Sequence, residues 1–194
     1  MTSRLFRRFA LLFTLLCAAI AQAAQIEGQT FDERIQLAGS ELRLNGVGMR
    51  AVAWFKGYTA GLYLSRPARD AAQVIAAPGP KRVQMRMMRE AGAEVFVKAF
   101  HGGIEGNSGE AERAQLAERM AAFDRNMRSL VKVKQGDIVD LDYVPDRGLV
   151  LSLNGRVSGE PVPGEDLYAA VLKIFVGERL VDKKMKVGLL GGTT

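Results

Sequence analysis

The stretch that decides the fold is LNGVGMRAVAWFKGYTAGLYLS, residues 44–65. Its Gly46, Gly48 and Ala51 match the spacing of the glycine fingerprint that binds dinucleotides. In that fingerprint the glycines open a helix whose N-terminus faces the pyrophosphate. The residues that follow Gly48 are instead aromatic and β-branched and form no helical stripe, which is typical of a strand. We therefore reject a nucleotide site and predict extended chain, with a tight turn at Asn45-Gly46.

The first residues of the chain have the composition of a secretory signal, which we assign to residues 1–23. Three arginines precede an apolar run at 9–20, and small residues at 21 and 23 form a cleavage site. The apolar run is shorter than the roughly 20 residues of a membrane helix. We expect cleavage after Ala23, a bacterial periplasmic location and no membrane span in the mature protein. An uncleaved membrane anchor is the alternative.

The mature part, residues 24–194, offers few side chains for metal or nucleophilic chemistry, and no linker divides it, so we predict a single domain. The chain's one cysteine, Cys17, lies in the signal, and His101 is its one histidine. A zinc site needs three or four such ligands. Of the 27 basic residues three leave with the signal, so 24 face 21 acidic ones and the net charge is +3. We predict no metal, no cofactor and no nucleic-acid partner.

The remaining patterns alternate between groups of strands and groups of helices. A period of two predicts strands, and a period of 3.6 predicts helices. We expect a bend near Gly57, a glycine-rich break after His101 and a helix capped by Ser108. This order of elements predicts an α+β fold. The predicted strands cover 35–46, 51–64, 81–89, 137–145 and 148–157, and the predicted helices cover 66–77, 93–104, 109–131 and two parts of 164–191.

Three segments of the chain form a recognisable set: LRLNGVGMR (42–50), FKGYTAGLYLS (55–65) and LYAAVLKIFVGERLVDKKMKVGLLG (167–191). Together they resemble the chalcone isomerase-like superfamily, and specifically its secreted bacterial branch. The resemblance implies an open-faced β-sandwich, in which a helical layer covers a large antiparallel sheet and a ligand cleft lies between them. Plant enzymes of the superfamily cyclise a chalcone to a flavanone, whereas other members are non-catalytic or bind fatty acids in the same cleft.

The resemblance also implies a role for particular residues. Arg50 matches the arginine of the family's Gly-x-Gly-x-Arg turn, which steadies the anionic oxygen of the substrate in the enzymes. Tyr58 falls on an enzymatic threonine, beside Thr59, and a phenol can also donate a hydrogen bond to a carbonyl. The threonine before the family's last Ile-Gly segment falls on Ile174, which has no hydroxyl.

The enzymes' tyrosine and asparagine on the following helix fall near Glu94 and His101. Arg50 is thus retained, whereas most of the polar set that binds the flavonoid is not. Arg50 and Tyr58 are eight residues apart, about 26 Å in a straight strand, so only a chain that turns back brings them together.

Three functions follow as hypotheses. The first is a protein that binds a small, largely apolar anion, such as a fatty acid or related carboxylate. The second is an isomerase of the chalcone isomerase (intramolecular lyase) type, with Arg50 and Tyr58 stabilising an oxyanion. The third is a structural or partner-binding periplasmic protein whose cleft is filled by side chains. The candidate ligand-binding residues are Arg50, Tyr58, Thr59, Tyr63 and His101.

Overall fold

The computed structural model describes residues 23–52, 55–179 and 182–193. The predicted signal lies outside these ranges except for its last residue. No helix in the described ranges combines the length and apolarity that a membrane crossing requires. The strands are β1 Ala23–Ile26, β2 Gln29–Asp32, β3 Arg34–Leu37, β4 Ser40–Val52, β5 Phe55–Leu64, β6 Lys81–Met87, β7 Ala91–Gly92, β8 Lys132–Val133, β9 Ile138–Val144, β10 Gly148–Leu153 and β11 Arg156–Val157. The helices are α1 Ala71–Ala76, α2 Ala93–Asn107, α3 Glu110–Ser129, α4 Glu165–Val176 and α5 Lys183–Leu189.

One large antiparallel sheet forms the centre of the fold. Its seven strands lie in the order β11-β10-β9-β6-β5-β4-β3. Residues that alternate along these strands point to opposite faces. One face packs against α2, α3 and α4 in the main core, and the hairpin of β1 and β2 covers part of the other face through Phe31. The predicted α+β fold with a helical layer on a large sheet is confirmed.

The predicted turn at Asn45-Gly46 is wrong, because β4 runs through this pair. The pairing of β4 with β5 shifts register between Leu44 and Gly46, which marks an irregularity rather than a reversal. The side chain of Asn45 is engaged elsewhere: its Nδ2 donates to the carbonyls of Ala68 (2.9 Å) and Leu189 (2.7 Å). The pair therefore ties β4 to two distant segments and does not form a hairpin.

Strand β5 runs antiparallel beside β4, and its first residue, Phe55, pairs with Val52, the last residue of β4. A second register shift leaves Gly57 unpaired between Tyr58, which faces Arg50, and Lys56, which faces Ala51. The predicted bend near Gly57 is thus a β-bulge. The sequence predicted one bent strand at 51–64. The structure has the end of β4 and the whole of β5 in this range.

The predicted glycine-rich break after His101 is also wrong, because α2 continues to Asn107. Gly103 lies where α2 crosses α4, and a Cβ atom there would lie 2.8 Å from the side chain of Ile174. The glycine therefore permits close helix packing and does not end the helix. Ser108 is the C-cap of α2, whereas the N-cap of α3 is Gly109.

Candidate functional site

The glycines of the opening stretch provide the seat for helix α5. Gly46 and Gly48 lie on the helix-facing side of β4, where α5 packs. A Cβ atom at Gly48 would lie 2.6 Å from the carbonyl oxygen of Met185, and one at Gly46 would overlap the carbonyl oxygen of Gly188. Only residues without a side chain allow this close approach. The spacing that resembles a nucleotide fingerprint is therefore explained by helix docking.

The docked helix brings a carboxylate to the backbone next to the motif arginine. Asp182 is the N-cap of α5, and its Oδ1 accepts hydrogen bonds from the backbone N–H groups of Lys184 (2.9 Å) and Met185 (3.1 Å). Its Oδ2 accepts a hydrogen bond from the backbone N–H of Ala51 at 3.3 Å. Since Ala51 follows Arg50 in β4, the first turn of α5 is held beside the arginine.

Arg50 and Tyr58 are cross-strand partners. The antiparallel pairing of β4 and β5 places them directly opposite each other. Opposite residues of an antiparallel pair point to the same face, with Cβ atoms roughly 5 Å apart. The structure therefore brings together the two residues that the sequence placed about 26 Å apart in a straight strand.

This pair differs from an ordinary surface pair in its electrostatics. The Nη1 atom of Arg50 is buried and has no hydrogen-bond partner in the described part of the chain. Burial raises the pKa of Tyr58 to about 12, although the charge of Arg50 opposes that rise and the charge of Asp182 adds to it. At neutral pH the site therefore offers a guanidinium and a neutral phenol, both of which donate hydrogen bonds.

An apolar cavity extends from Tyr58 between the sheet and the helices. Its volume is ≈ 90 Å³, about three waters' share of the liquid. The floor comes from β5, β6, β9 and β10, and the roof from α2, α3 and α4. Tyr58, Met85 and Met127 border the cavity. The space between the sheet and the helices is therefore not completely filled by side chains. The lining consists of Tyr58, Met85, Phe96, Ala99, Phe100, Phe123, Met127, Leu130, Val139, Leu141, Leu151, Val171, Ile174 and Phe175.

Of the five candidate residues only Tyr58 borders this cavity, with Arg50 beside it as its cross-strand partner, and the other three lie elsewhere. Thr59 and Tyr63 lie on the opposite face of the sheet, because alternate residues of β5 point to opposite sides. Both are fully buried, and neither side-chain oxygen has a hydrogen-bond partner among the described residues. His101 lies on the outer side of the helical layer, and its Nε2 contacts Asp124 at 2.8 Å. The five candidates therefore occupy three separate places.

Sequence reasoning missed part of the site and had a signal for some of it. Met85 lies on the apolar side of an alternating strand, a pattern that predicts burial and cannot identify a cavity. Asp182 directly precedes a short helix, which is the position of a capping residue. Nothing in the local sequence shows that this cap also contacts β4, because that contact joins residues 131 positions apart.

A larger depression lies elsewhere and has a different character. It measures ≈ 580 Å³ and opens between α1, the end of α2 and the end of α4. Its charged residues include Glu105, Glu178 and Arg179, and its Lys173 donates to Glu112 at 2.8 Å. Among the described residues, no group of three or more His, Cys, Asp or Glu is placed to hold a metal ion. The apolar cavity that begins at Tyr58, the cross-strand partner of Arg50, is therefore the stronger candidate for a ligand site.

Comparison with known proteins gives a family and a fold. A family model described as chalcone isomerase-like matches residues 23–191. The crystal structure of a fatty-acid binding protein from Arabidopsis thaliana matches with a TM-score of 0.66 and 15% sequence identity, covering 87% of this chain and 96% of that chain. At this level of identity the likeness concerns the fold. A search of curated protein sequences finds no significant match.

Proposed function

This chain belongs to the chalcone isomerase-like family, and we propose that it binds a small apolar carboxylate, such as a fatty acid, between its sheet and its helices. The carboxylate would contact Arg50 and Tyr58, and the apolar part would enter the cavity. The fatty-acid binding protein from Arabidopsis thaliana supports this proposal through its shared fold. Fold alone does not determine a ligand, so the proposal depends on the site.

The observation that carries the proposal is the unpaired Nη1 of Arg50. A buried N–H group of a charged side chain without a partner costs free energy. A carboxylate would supply the missing acceptor, and hydrogen bonds between ionised groups are stronger than neutral ones. Tyr58 would donate a second hydrogen bond, because its raised pKa keeps the phenol protonated. The apolar cavity beside the pair accounts for the rest of an acyl ligand.

The test is a titration of Arg50→Ala followed by two-dimensional NMR, with hexanoate and with uncharged 1-hexanol as ligands. We expect hexanoate to bind about 10- to 100-fold more weakly to the variant, the range for a lost charge-assisted hydrogen bond. The affinity for 1-hexanol should change little. Arg43→Ala is the matched control, because Arg43 lies on the same strand and is exposed. Equal hexanoate affinity of folded Arg50→Ala and wild-type protein would contradict the proposal.

No observation favours the isomerase hypothesis over binding. Cyclisation needs several donors placed around one oxyanion, and each lost donor typically costs several kcal/mol. Ile174 borders the cavity without a hydroxyl. Glu94 accepts a hydrogen bond from Arg128 at 2.8 Å, and His101 contacts Asp124 on the outer surface. The positions nearest to the enzymes' polar residues therefore add no donor to the cavity.

We further propose that the protein belongs to the secreted bacterial branch of the family and acts in the periplasm. The support is the sequence of residues 1–23, with its arginines, apolar run and small residues before the cleavage site. N-terminal sequencing of periplasmic protein should find Ala24 first. Recovery of the full-length chain from the membrane fraction would contradict this assignment.

A further inference from the structure

The apolar cavity is long in outline and small in volume. Its floor residues lie on four adjacent strands, from Tyr58 on β5 to Leu151 on β10. Neighbouring strands are roughly 4.8 Å apart, so this floor is about 14 Å wide. A cavity of ≈ 90 Å³ is too small to hold a continuous acyl chain of that length. Side chains must therefore occupy part of the path.

Met85 lies in the middle of that path. It pairs with Ala60 of β5 on one side and with Val139 of β9 on the other. Tyr58 and Ala60 share a face, so Met85 is the diagonal neighbour of Tyr58, within reach of a long side chain. Met85 is the residue of β6 that lines the cavity, and its exposed fraction is 5%. A chain that extends from Arg50 toward Leu151 must pass over this side chain.

We propose that Met85 limits the length of the ligand, so that the site selects carboxylates with short acyl chains. This inference rests on the proposed function and names its substrate class. Ligand sites are usually largely pre-formed, and water's share of the liquid is roughly 30 Å³, similar to a methylene group. The cavity therefore accepts about three or four carbons beyond the carboxylate, which remains at Arg50.

The test measures affinities for butanoate, hexanoate, octanoate, decanoate and dodecanoate by NMR titration of the intact protein. We expect about a fourfold gain for each methylene that enters the cavity, and the gain should end between butanoate, with three carbons beyond the carboxylate, and hexanoate, with five. Met85→Ala removes three side-chain atoms and should move the optimum about three carbons longer. Met85→Val is a milder truncation and should move it in the same direction by less, with a smaller risk of unfolding.

Met120→Ala is the matched control, because Met120 is 7% exposed in the same core and does not border the cavity. It should destabilise the fold without changing the preferred length. A wild-type affinity that rises steadily to dodecanoate, or an unchanged optimum in both Met85 variants, would overturn the role of Met85 and leave the proposed function intact. Absence of binding for every chain length would overturn both.

Discussion

The two faces of the central sheet bury different kinds of side chain. Toward the helices, β5, β6 and β9 present almost continuous apolar surface. On the opposite face the same strands present polar and charged side chains, several of which are nearly inaccessible to solvent. Strand alternation alone produces this separation. The helix-facing residues are Tyr58, Ala60, Leu62, Val83, Met85, Val139 and Leu141, and the opposite residues are Thr59, Tyr63, Arg82, Gln84, Arg86, Asp140 and Asp142.

The charges on the opposite face largely satisfy one another. Arg82 donates from Nε and Nη2 to the two carboxylate oxygens of Asp142, each at 2.6 Å, and its Nη1 lies 3.6 Å from Asp140. Gln84 donates to Asp140 at 2.9 Å. Arg86 has an unpaired Nε, and its guanidinium stacks over the ring of Phe31 at 5.0 Å. This face is a cross-strand network whose main partners lie within the protein.

The helix-facing side has few charged side chains, and one of them lacks a hydrogen-bond acceptor among the described residues for a buried N–H group. Arg50 has a buried N–H without an acceptor, and its cross-strand partner Tyr58 borders an apolar cavity. Unpaired polar atoms also occur on the opposite face, at Thr59, Tyr63 and Arg86, so an unpaired atom alone does not identify a site. The combination of a buried cation N–H without an acceptor and an adjacent cavity does. A ligand site is therefore better recognised by unmatched charge beside a cavity than by the number of polar residues.

Breaking the network of the opposite face should have the largest effect on stability. Arg82→Met leaves Asp142, which is 4% exposed, without its bidentate partner. Removal of one partner of a buried ion pair typically costs about 3–5 kcal/mol. Urea unfolding followed by circular dichroism measures the change.

The control is the double variant Arg82→Met/Asp142→Leu, which removes both charges. It should recover most of the lost stability, because apolar replacement of a buried pair is often nearly neutral. A loss below about 1 kcal/mol in the single variant would show that the pair is effectively solvated, and the contrast between the two faces would then be weaker than described.

A smaller effect on stability is expected at Gly48, where α5 packs so closely on β4 that a side chain does not fit. Gly48→Ala places a Cβ about where the backbone of Met185 lies, with 2.6 Å to its carbonyl oxygen. Overpacking of this kind costs typically about 1–3 kcal/mol, and α5 must shift to relieve it. Thermal unfolding measures the loss. Gly102→Ala is the control, because a Cβ atom at Gly102 would meet nothing within 4 Å and alanine favours a helix. Equal stability of both variants would contradict tight docking.

The fold was more predictable than the site, and the reason is the range of the interactions. Alternation in 81–89 and 137–145 predicted strands whose faces agree with the structure, because local periodicity determines which face is buried. The Asn45-Gly46 pair misled the prediction, since its role is set by Ala68 and Leu189 rather than by its neighbours. Arg50 was identified from a family resemblance, and the spacing of the residues did not show that Tyr58 lies opposite to it.

Two tyrosines of β5 lie on opposite faces of the sheet and differ in their ionisation. Burial raises the pKa of Tyr58 to about 12 and raises the pKa of Tyr63 further. For Tyr58 the folded-state pKa lies above the unfolded value of about 10. Its contribution to stability is therefore fully present below pH 10 and is lost as the pH rises through about 12. We expect a loss of about 1 kcal/mol, reduced from the full two-unit value because the ring is partly exposed.

Absorbance at 295 nm, compared between wild type and Tyr58→Phe, isolates this ionisation. The difference should show one transition near pH 12, whereas the difference for Tyr63→Phe should show a transition at higher pH. Arg50→Ala should move the Tyr58 transition upward, because the arginine charge lowers that pKa and its removal leaves burial unopposed. A transition that does not move would show that the Arg50 guanidinium is too far from the phenol to act on the same ligand. The shared site would then be refuted without any ligand having been added.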